Sequence, residues 1–144
     1  MRLNLHTDYA LRILMFLAVK QQQASVDEIA KAFGISRNHL MKVGQRLTEL
    51  GYVEARRGRG GGLLLARAAE MINVGELVRS VESTRAFVEC FDPVTNQCRV
   101  TGVCALQGAL SLALGDFMAR LDGYTVADLS PAPKKFRDRL ALPL

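Results

Sequence analysis

Two helical segments joined by a short turn that contains Gly34 place the strongest constraint on how this chain can fold. Ser25 and Glu28 have the spacing of a capping box, which opens a helix, and Gly34 suits the left-handed residue that ends it. Ser36 then suits the N-cap of a further helix that runs to Gly51. The apolar residues of that helix recur on one face and are Leu40, Val43, Leu47 and Leu50. Because its opposite face is basic and rich in amides, the pattern predicts a helix-turn-helix.

A glycine-rich basic turn follows this helix. Short apolar segments at 52–56 and 63–66 flank the run Arg57–Gly62, so they predict two strands of a hairpin, the wing of a winged helix. Glycine lets the backbone approach a phosphate closely, and arginines can reach along a groove. A dinucleotide fingerprint would need glycine at Leu63, and the chain contains no G-x-x-x-x-G-K-[ST] loop. The turn is therefore interpreted as a wing.

The charge is distributed unevenly along the 144 residues. Residues 1–70 carry five more basic than acidic side chains, residues 71–133 carry three more acidic ones, and residues 134–144 carry three more basic ones. This distribution favours an anionic partner, most simply nucleic acid, although a solvated basic surface is equally consistent with it. The hydrophobic share of 49% is enough to build a core, so we expect one domain, or one small domain with a dimerisation arm.

The second half of the chain predicts one short helix and one long one. Asn73 and Glu76 have the spacing of a second helix cap. A longer apolar repeat follows, which fits either plain core or a two-helix dimer seam, and its members are Leu106, Leu110, Ala113, Phe117 and Leu121. The predicted organisation is a winged helix-turn-helix at 1–70, a connecting helix at 71–83, a cysteine loop at 84–104, a dimerisation helix with a following turn at 105–129 and a mobile basic tail at 130–144.

All three cysteines of the chain fall in the loop. Cys90, Cys98 and Cys104 are spaced C-x7-C-x5-C. Their odd number argues against a disulfide framework, and structural zinc usually takes closer C-x2–4-C pairs. Three thiolates from one loop suit an iron–sulfur cluster, with a fourth, non-thiolate ligand from elsewhere. Three unrelated small hydrophobic cysteines are the other interpretation, which their clustering in a loop disfavours.

Asp8 has a simple structural interpretation. The first segment predicts a helix with Thr7 as N-cap and Asp8 in the first turn. Asp8 lies four residues before Arg12, so it would stabilise the helix through the dipole and an ion pair. On spacing alone this role is favoured over a role as ligand, since Asp8, like the histidines His6 and His39, is remote in sequence from the cysteines.

Taken together, these residues resemble the BadM/IscR-type winged-helix regulators, bacterial dimeric transcription factors that often carry an iron–sulfur cluster. The resemblance covers nearly the whole chain and includes T-D-Y-A-L-R at 7–12, S-R-N-H-L-M-K-V at 36–43 and G-Y-V-E-A-R-R-G-R-G-G-G at 51–62. The three-cysteine loop leading into a long helix is part of the same pattern. S-R-N-H-L and Y-T-V-A-D-L at 124–129 are most similar to the nitric-oxide-sensing repressors within the family.

The resemblance implies a mainly α fold with a small β-hairpin wing: a winged helix-turn-helix plus a long dimerisation helix. It implies a cytoplasmic, homodimeric repressor of double-stranded operator DNA, with nitric oxide as signal. An iron–sulfur cluster, 4Fe–4S or alternatively 2Fe–2S, would be held by Cys90, Cys98, Cys104 and Asp8 of the partner subunit. Relatives that regulate cluster biogenesis use a histidine three residues after the last cysteine, where this chain has Gln107.

The resemblance also implies the DNA contacts. Two recognition helices would enter successive major grooves about one helical turn apart, and each wing would enter the minor groove or grip the backbone. The candidates on the recognition helix are Ser36, Arg37, Asn38, His39, Lys42 and Gln45. Those on the wing are Arg56, Arg57, Arg59, Gly60 and Gly61.

Two alternative functions stay open. One is a general iron–sulfur or redox-sensing regulator, and the other, of a different class, is an iron–sulfur electron carrier. Carriers normally supply four cysteines and need no basic recognition helix. We expect no enzyme, because no nucleophile–base motif is present. We also expect no membrane partner, because the apolar stretch Ala10–Val19 is broken by Arg12 and is shorter than the roughly 20 residues of a membrane span.

Overall fold

The computed structural model describes residues 3–83 and 87–142. Its main elements follow one another as six helices and one two-stranded sheet. They are α1 (Leu5–Lys20), α2 (Val26–Phe33), α3 (Arg37–Glu49), β1 (Val53–Arg56), β2 (Gly62–Leu65), α4 (Val74–Val81), α5 (Ala105–Asp122) and α6 (Pro133–Arg139). This mainly α architecture with one hairpin confirms the predicted fold class. Residues 84–86 of the predicted cysteine loop, and residues 143–144 of the predicted tail, lie outside the described residues.

Helix α1 begins earlier than the sequence predicted. Its N-cap is Asn4, whose side-chain oxygen accepts a hydrogen bond from the Thr7 N–H at 2.8 Å. Thr7 is therefore inside the first turn, where it is fully buried and its hydroxyl donates to the Glu82 carboxylate at 2.6 Å. The prediction of Thr7 as N-cap was wrong because the Asn4 side chain caps the helix by accepting a hydrogen bond from the Thr7 N–H, so the helix begins at Leu5.

The helix-turn-helix forms as its local signals predicted. The Ser25 hydroxyl accepts from the Glu28 N–H at 3.1 Å, and Gly34 ends α2 in the left-handed conformation at φ +64°. Ser36 occupies the N-cap position of α3, although its side chain makes no capping hydrogen bond. The apolar face of α3 is buried through Leu40, Val43 and Leu47, so the opposite face is left to solvent.

The wing is an antiparallel hairpin in which Val53 pairs with Leu65 and Arg56 pairs with Gly62. A bridge between Ala24 and Leu63 attaches β2 to the segment between α1 and α2. The register confirms the two predicted strands to within one residue at each end. The part of β2 next to the turn is therefore attached to the helical core.

The hydrophobic core is built around α1, whose Ile13, Leu14 and Phe16 are fully buried. A smaller cluster joins α4 and α5 through Val74, Val78 and Met118. Leu114, Phe117 and Leu121 of α5 pack against this cluster, whereas Leu106 and Leu112 remain 63% and 74% exposed. The long apolar repeat is thus split between Phe117 and Leu121 near its C-terminal end, which pack against this cluster, and Leu106 at its start, which is exposed.

The C-terminal segment corrects the expectation of a mobile tail. Pro133–Arg139 form α6, and Phe136 meets the Phe33 ring edge-on with centroids 6.5 Å apart. Leu140 and Leu142 pack against the main core. The basic composition of this segment concealed an apolar face that the winged-helix domain buries. Across residues 3–83 and 87–142, every helix is too short or too polar to cross a bilayer.

Candidate nucleic-acid interface and cysteine site

The predicted recognition residues share the solvent-facing side of α3. Every one of them is exposed: Ser36, Arg37, Asn38, His39, Lys42 and Gln45. Burial of Leu40 and Val43 on the other side of the helix produces this exposure, because residues three and four apart repeat on one face. The structure therefore brings the predicted set together, while their contacts with DNA remain a prediction.

Three contacts hold the ends of this recognition face. At the start of α3, the Arg37 Nε lies 2.7 Å from the Asp27 carboxylate of α2, and its Nη1 lies 2.9 Å from the Met41 sulfur. At the end of α3, the Glu49 carboxylate accepts from Gln45 at 3.3 Å. The sequence did not indicate the contact between Asp27 and Arg37, because an acidic residue in the first turn of a helix is already explained by its interaction with the helix dipole.

The wing presents a cationic tip. Arg56, Arg57 and Arg59 are exposed, and none of them pairs with a carboxylate in the described parts of the chain. Gly60 has φ +76°, a conformation that L side chains rarely adopt, and a Cβ at Gly61 would overlap the Arg56 carbonyl oxygen. The sharp turn therefore depends on glycine.

Gln23 is a positioning residue for the wing that the sequence did not single out. Its side-chain Nε2 donates to the carbonyl oxygen of Gly60. The residue belongs to the polar run Gln21–Gln23, in which nothing distinguishes one glutamine from the next. Only the fold shows that one of them reaches the wing tip.

The cysteine loop contains three free, half-buried thiols: Cys90, Cys98 and Cys104. Cys90 and Cys104 both line an open cavity of about 670 Å³ at the start of α5. Gln107, which replaces the histidine of some relatives, lines the same cavity and donates to the Cys90 carbonyl oxygen at 3.3 Å. This glutamine links the two ends of the loop.

Polar side chains fold the rest of the loop. The Glu89 carboxylate accepts from the Gln97 N–H at 2.8 Å, and the Asn96 side chain accepts from the Cys98 N–H at 2.9 Å. The Thr101 hydroxyl donates to the Cys98 carbonyl at 2.9 Å. Glu89 therefore helps to hold the loop in shape.

The donor set fits an iron–sulfur cluster in its chemistry, because thiolates are the ligands that such clusters prefer. The geometry of a single chain, however, brings together only some of the ligands that a cluster needs. Among the described residues, no three His, Cys, Asp or Glu side chains lie together as a metal-binding group. Two thiols share one cavity, and the remaining ligands would have to approach it.

Asp8 forms the ion pair that its spacing predicted. Its two carboxylate oxygens accept from the Nε and Nη2 of Arg12, each at 3.0 Å. Arg12 also lies over the Phe33 ring, with its guanidinium carbon 5.7 Å from the centroid. The structural role of Asp8 is confirmed, and its role as a ligand in a dimer remains a prediction.

A hydrogen-bonded cluster ties the start of α1 to the end of α4. The Glu82 carboxylate accepts from the Asn4 N–H at 3.0 Å, from its side-chain amide at 3.1 Å and from the Thr7 hydroxyl at 2.6 Å. Thr7 immediately precedes Asp8, and Glu82 lies two residues before the loop. The end of α4, which leads into the cysteine loop, is therefore tied to the turn that carries Asp8.

A second polar contact joins α4 to α5. The Arg79 guanidinium and the Asp122 carboxylate form two hydrogen bonds, at 2.6 and 2.7 Å. These bonds from Arg79 lower the pKa of Asp122. The pKa of Asp128 is lowered by hydrogen bonds from the N–H and the hydroxyl of Thr125. Both carboxylates stabilise the end of α5 and its following turn in their charged form.

The comparisons with known proteins agree with this architecture. Residues 3–132 match the family model Rrf2, described as iron-dependent transcriptional regulator, and the chain belongs to this family. The HTH-type transcriptional regulator NsrR of Bacillus subtilis (strain 168) is 48% identical over 131 residues, which cover 90% of each protein. The regulator of that name from Geobacillus kaustophilus (strain HTA426) is 44% identical over 131 residues, covering 90% of this chain and 89% of that protein.

Solved structures share the fold. T. potens IscR superposes with a TM-score of 0.71 at 22% identity, covering 90% of this chain and 85% of that one. CymR (YrzC), the global cysteine regulator of B. subtilis, superposes with a TM-score of 0.70 at 22% identity, covering 90% of this chain and 96% of that one. The family membership confirms the resemblance inferred from the sequence. The chain is a DNA-binding transcriptional regulator and not an enzyme.

Proposed function

We propose that this chain is a homodimeric repressor whose binding to operator DNA is controlled by an iron–sulfur cluster that responds to nitric oxide. The observation that carries the proposal is the pair of free thiols, Cys90 and Cys104, that line one cavity on a chain with an exposed recognition face. The 48% identity to a regulator named NsrR supports the same function.

Four residues would hold the cluster, which we expect to be 4Fe–4S, with 2Fe–2S as the alternative. Cys90, Cys98 and Cys104 would come from one chain and Asp8 of the partner subunit from the other. When bound, the cluster supplies reactivity toward nitric oxide. A carboxylate is a harder ligand than a thiolate and suits iron less well, so Asp8 is the ligand that would exchange most readily.

Arg12 gives Asp8 a second partner within its own chain. The two hydrogen bonds of 3.0 Å are available whenever the carboxylate is free. Asp8 would therefore exchange between a ligand role across the dimer and an ion pair on α1. Because such an exposed pair stabilises the chain by no more than about 1 kcal/mol, it would not prevent ligation.

The Glu82 cluster would carry this exchange to the DNA-reading domain. It fixes the end of α4 to the first turn of α1, and α1 packs against α3 in the main core. A change at the cysteine loop would therefore alter the relative position of the two recognition helices. Since both half-sites must be contacted together, a changed separation would lower the affinity for the operator.

The test uses anaerobically purified full-length protein. We expect coloured material that contains iron and sulfide, shifts an operator duplex in a gel, and releases it as nitric oxide is added stepwise. Cys98→Ser should lose the colour. Colourless, iron-free protein that binds its operator equally well with and without nitric oxide would contradict the proposal. Release by oxygen or chelators but not by nitric oxide would indicate a general redox sensor, and an iron–sulfur protein without DNA affinity would indicate an electron carrier.

A substitution at Asp8 tests the link between subunits. Asp8→Ala should retain a cluster after gentle reconstitution but weaken the dependence of operator binding on the state of the cluster. Asp138→Ala, which removes an exposed carboxylate of α6, is the matched control and should behave as wild type. Wild-type dependence in Asp8→Ala would exclude Asp8 as the connection.

A further inference from the structure

A cavity of about 260 Å³ lies between the recognition helix, the first turn of α1 and the end of α4. Its lining consists of His6, Val43, Arg46, Leu47, Ser80 and Val81. Ser80 donates its hydroxyl to the Leu77 carbonyl at 2.7 Å. His6 and Arg46 are exposed, so they are the polar side chains of this lining that are accessible to a partner.

The cavity lies beside the recognition face. Arg46 follows His39 by seven residues, close to two helical turns, so both lie on one edge of α3. The His39 ring lies 6.4 Å from that of Tyr9, and His6 precedes Tyr9 by one turn of α1. The start of α1 therefore runs along the edge of α3 that carries Arg46.

We propose that His6 and Arg46 together bind one backbone phosphate of the DNA, at the edge of the groove that α3 enters. This proposal rests on the proposed operator binding and extends the interface to α1, which supplied none of the predicted contacts. Guanidinium and imidazole N–H groups both donate to phosphate oxygens, and such contacts fix the register of a protein on the duplex.

Glu49 is the charge that opposes this contact. Its carboxylate lies 3.2 Å from the Arg46 Nη1, and the two side chains are 52% and 49% exposed. An ion pair so exposed is weak, so Arg46 can exchange Glu49 for a phosphate and gain a charge-assisted hydrogen bond. Removal of the Glu49 carboxylate should therefore strengthen DNA binding.

Operator duplexes in which one phosphate at a time is replaced by an uncharged methylphosphonate provide the test. The operator is selected from random duplexes by the wild-type protein. With that protein, one neutralised phosphate in each half-site should weaken binding about tenfold. With His6→Gln or Arg46→Gln the same replacement should cost only about threefold, because each variant has lost one of the two charged contacts to that phosphate.

Salt dependence provides a second measurement. The slope of log K against log salt is negative, and in Arg46→Gln its magnitude should be smaller by about 0.9 for each phosphate that the variant no longer neutralises. The same variant should weaken specific and non-specific binding alike. Glu49→Gln should bind more tightly than wild type. Lys134→Gln, which removes an exposed cation of α6, is the control and should leave the slope unchanged.

Equal costs of every methylphosphonate in wild type and in both variants would overturn the phosphate contact while leaving operator binding itself intact. Failure of the wild-type protein to bind any duplex would instead overturn the proposed function. Titration of the DNA-free protein with inorganic phosphate, followed by the His6 imidazole resonances, separates the two sources of phosphate. Saturation at about millimolar phosphate, combined with equal costs of every methylphosphonate, would assign the cavity to a free anion and overturn the DNA contact.

Discussion

Gly75 shows how one residue sets the distance between two helices. A Cβ at this position of α4 would overlap the Asp122 carboxylate and lie 2.9 Å from the Asp122 backbone nitrogen. The same carboxylate receives both hydrogen bonds from Arg79. Glycine therefore allows the close approach on which the contact between α4 and α5 depends.

We predict that Gly75→Ala destabilises the protein by about 1–3 kcal/mol, because the added methyl group forces the two helices apart. Urea unfolding at neutral pH measures the effect. Gly115→Ala is the matched control, since a Cβ there meets nothing within 4 Å. That control should be neutral or more stable by up to about 1 kcal/mol, and equal losses in both variants would contradict the close-approach argument.

The lowered pKa of Asp122 predicts how stability depends on pH. A folded-state pKa below the ordinary 3.8 means that the unfolded chain binds the proton first as the pH falls. The contribution of this carboxylate is therefore fully present above about pH 4 and is lost as the pH falls through its folded pKa. In Asp122→Asn the free energy of unfolding should decline less steeply over that acid range. An unchanged pH profile would contradict the assignment.

Among the elements, α6 stands apart because the family match ends at residue 132 and α6 begins at Pro133. It nevertheless packs on the winged-helix domain, with Phe136 against Phe33 and an Arg137 Nη1 that donates to the Val19 carbonyl at 3.3 Å. The helix therefore covers part of α1 and α2 instead of extending into solvent.

We expect Phe136→Ala to lower the free energy of unfolding by about 1–3 kcal/mol, because it removes a half-buried aromatic pair. Thermal or urea unfolding is the measurement. Lys134→Ala, at an exposed position of the same helix, should have almost no effect. Wild-type stability of Phe136→Ala would show that α6 does not contribute to the fold in solution.

The wing is the element whose contribution is electrostatic. Arg59→Gln should weaken operator binding. It should also reduce the magnitude of the negative slope of log K against log salt by about 0.9, because the variant neutralises one phosphate fewer. Gel shifts over a series of salt concentrations measure both quantities. A slope equal to that of wild type would remove Arg59 from the interface.

At the scale of the whole molecule, the exposed leucines of α5 favour a partner helix. Leu106 and Leu112 are exposed, while the C-terminal half of the helix is occupied by α4. Helix–helix interfaces are commonly formed by leucines that are exposed in the isolated chain. The proposed homodimer would bury them and would also bring Asp8 of one chain toward the cysteines of the other.

We predict that Leu112→Glu shifts the protein from dimer to monomer, because a carboxylate would be buried at the seam, and that operator affinity falls with it. Sedimentation equilibrium measures the change. Met71→Glu is the control, since Met71 is 70% exposed in the turn before α4. Dimers of equal stability in both variants would place the seam elsewhere.

Sequence alone predicted the parts of this protein that depend on neighbours three or four residues away. The caps at Ser25 and Asn73, the glycine end of α2 and the Asp8–Arg12 pair all arise from such local bonds. The wing hairpin is nearly as local, because its paired residues are 6 to 12 positions apart. Even here two residues can compete for one role. Asn4 is the N-cap in place of Thr7. The Thr7 hydroxyl instead donates a hydrogen bond to the carboxylate of Glu82, 75 positions further along the chain.

The tertiary structure decided what depends on distant parts of the chain meeting. In the tertiary structure Gln23 donates a hydrogen bond to the wing tip, and His6 and Arg46 line one cavity. The C-terminal segment forms a helix that packs on the core, and part of α5 is buried while the rest is exposed. Local spacing carries no information on these contacts, because each results from burying apolar surface of elements far apart in sequence. Periodicity determined which faces exist, and packing determined which of them remain free to bind.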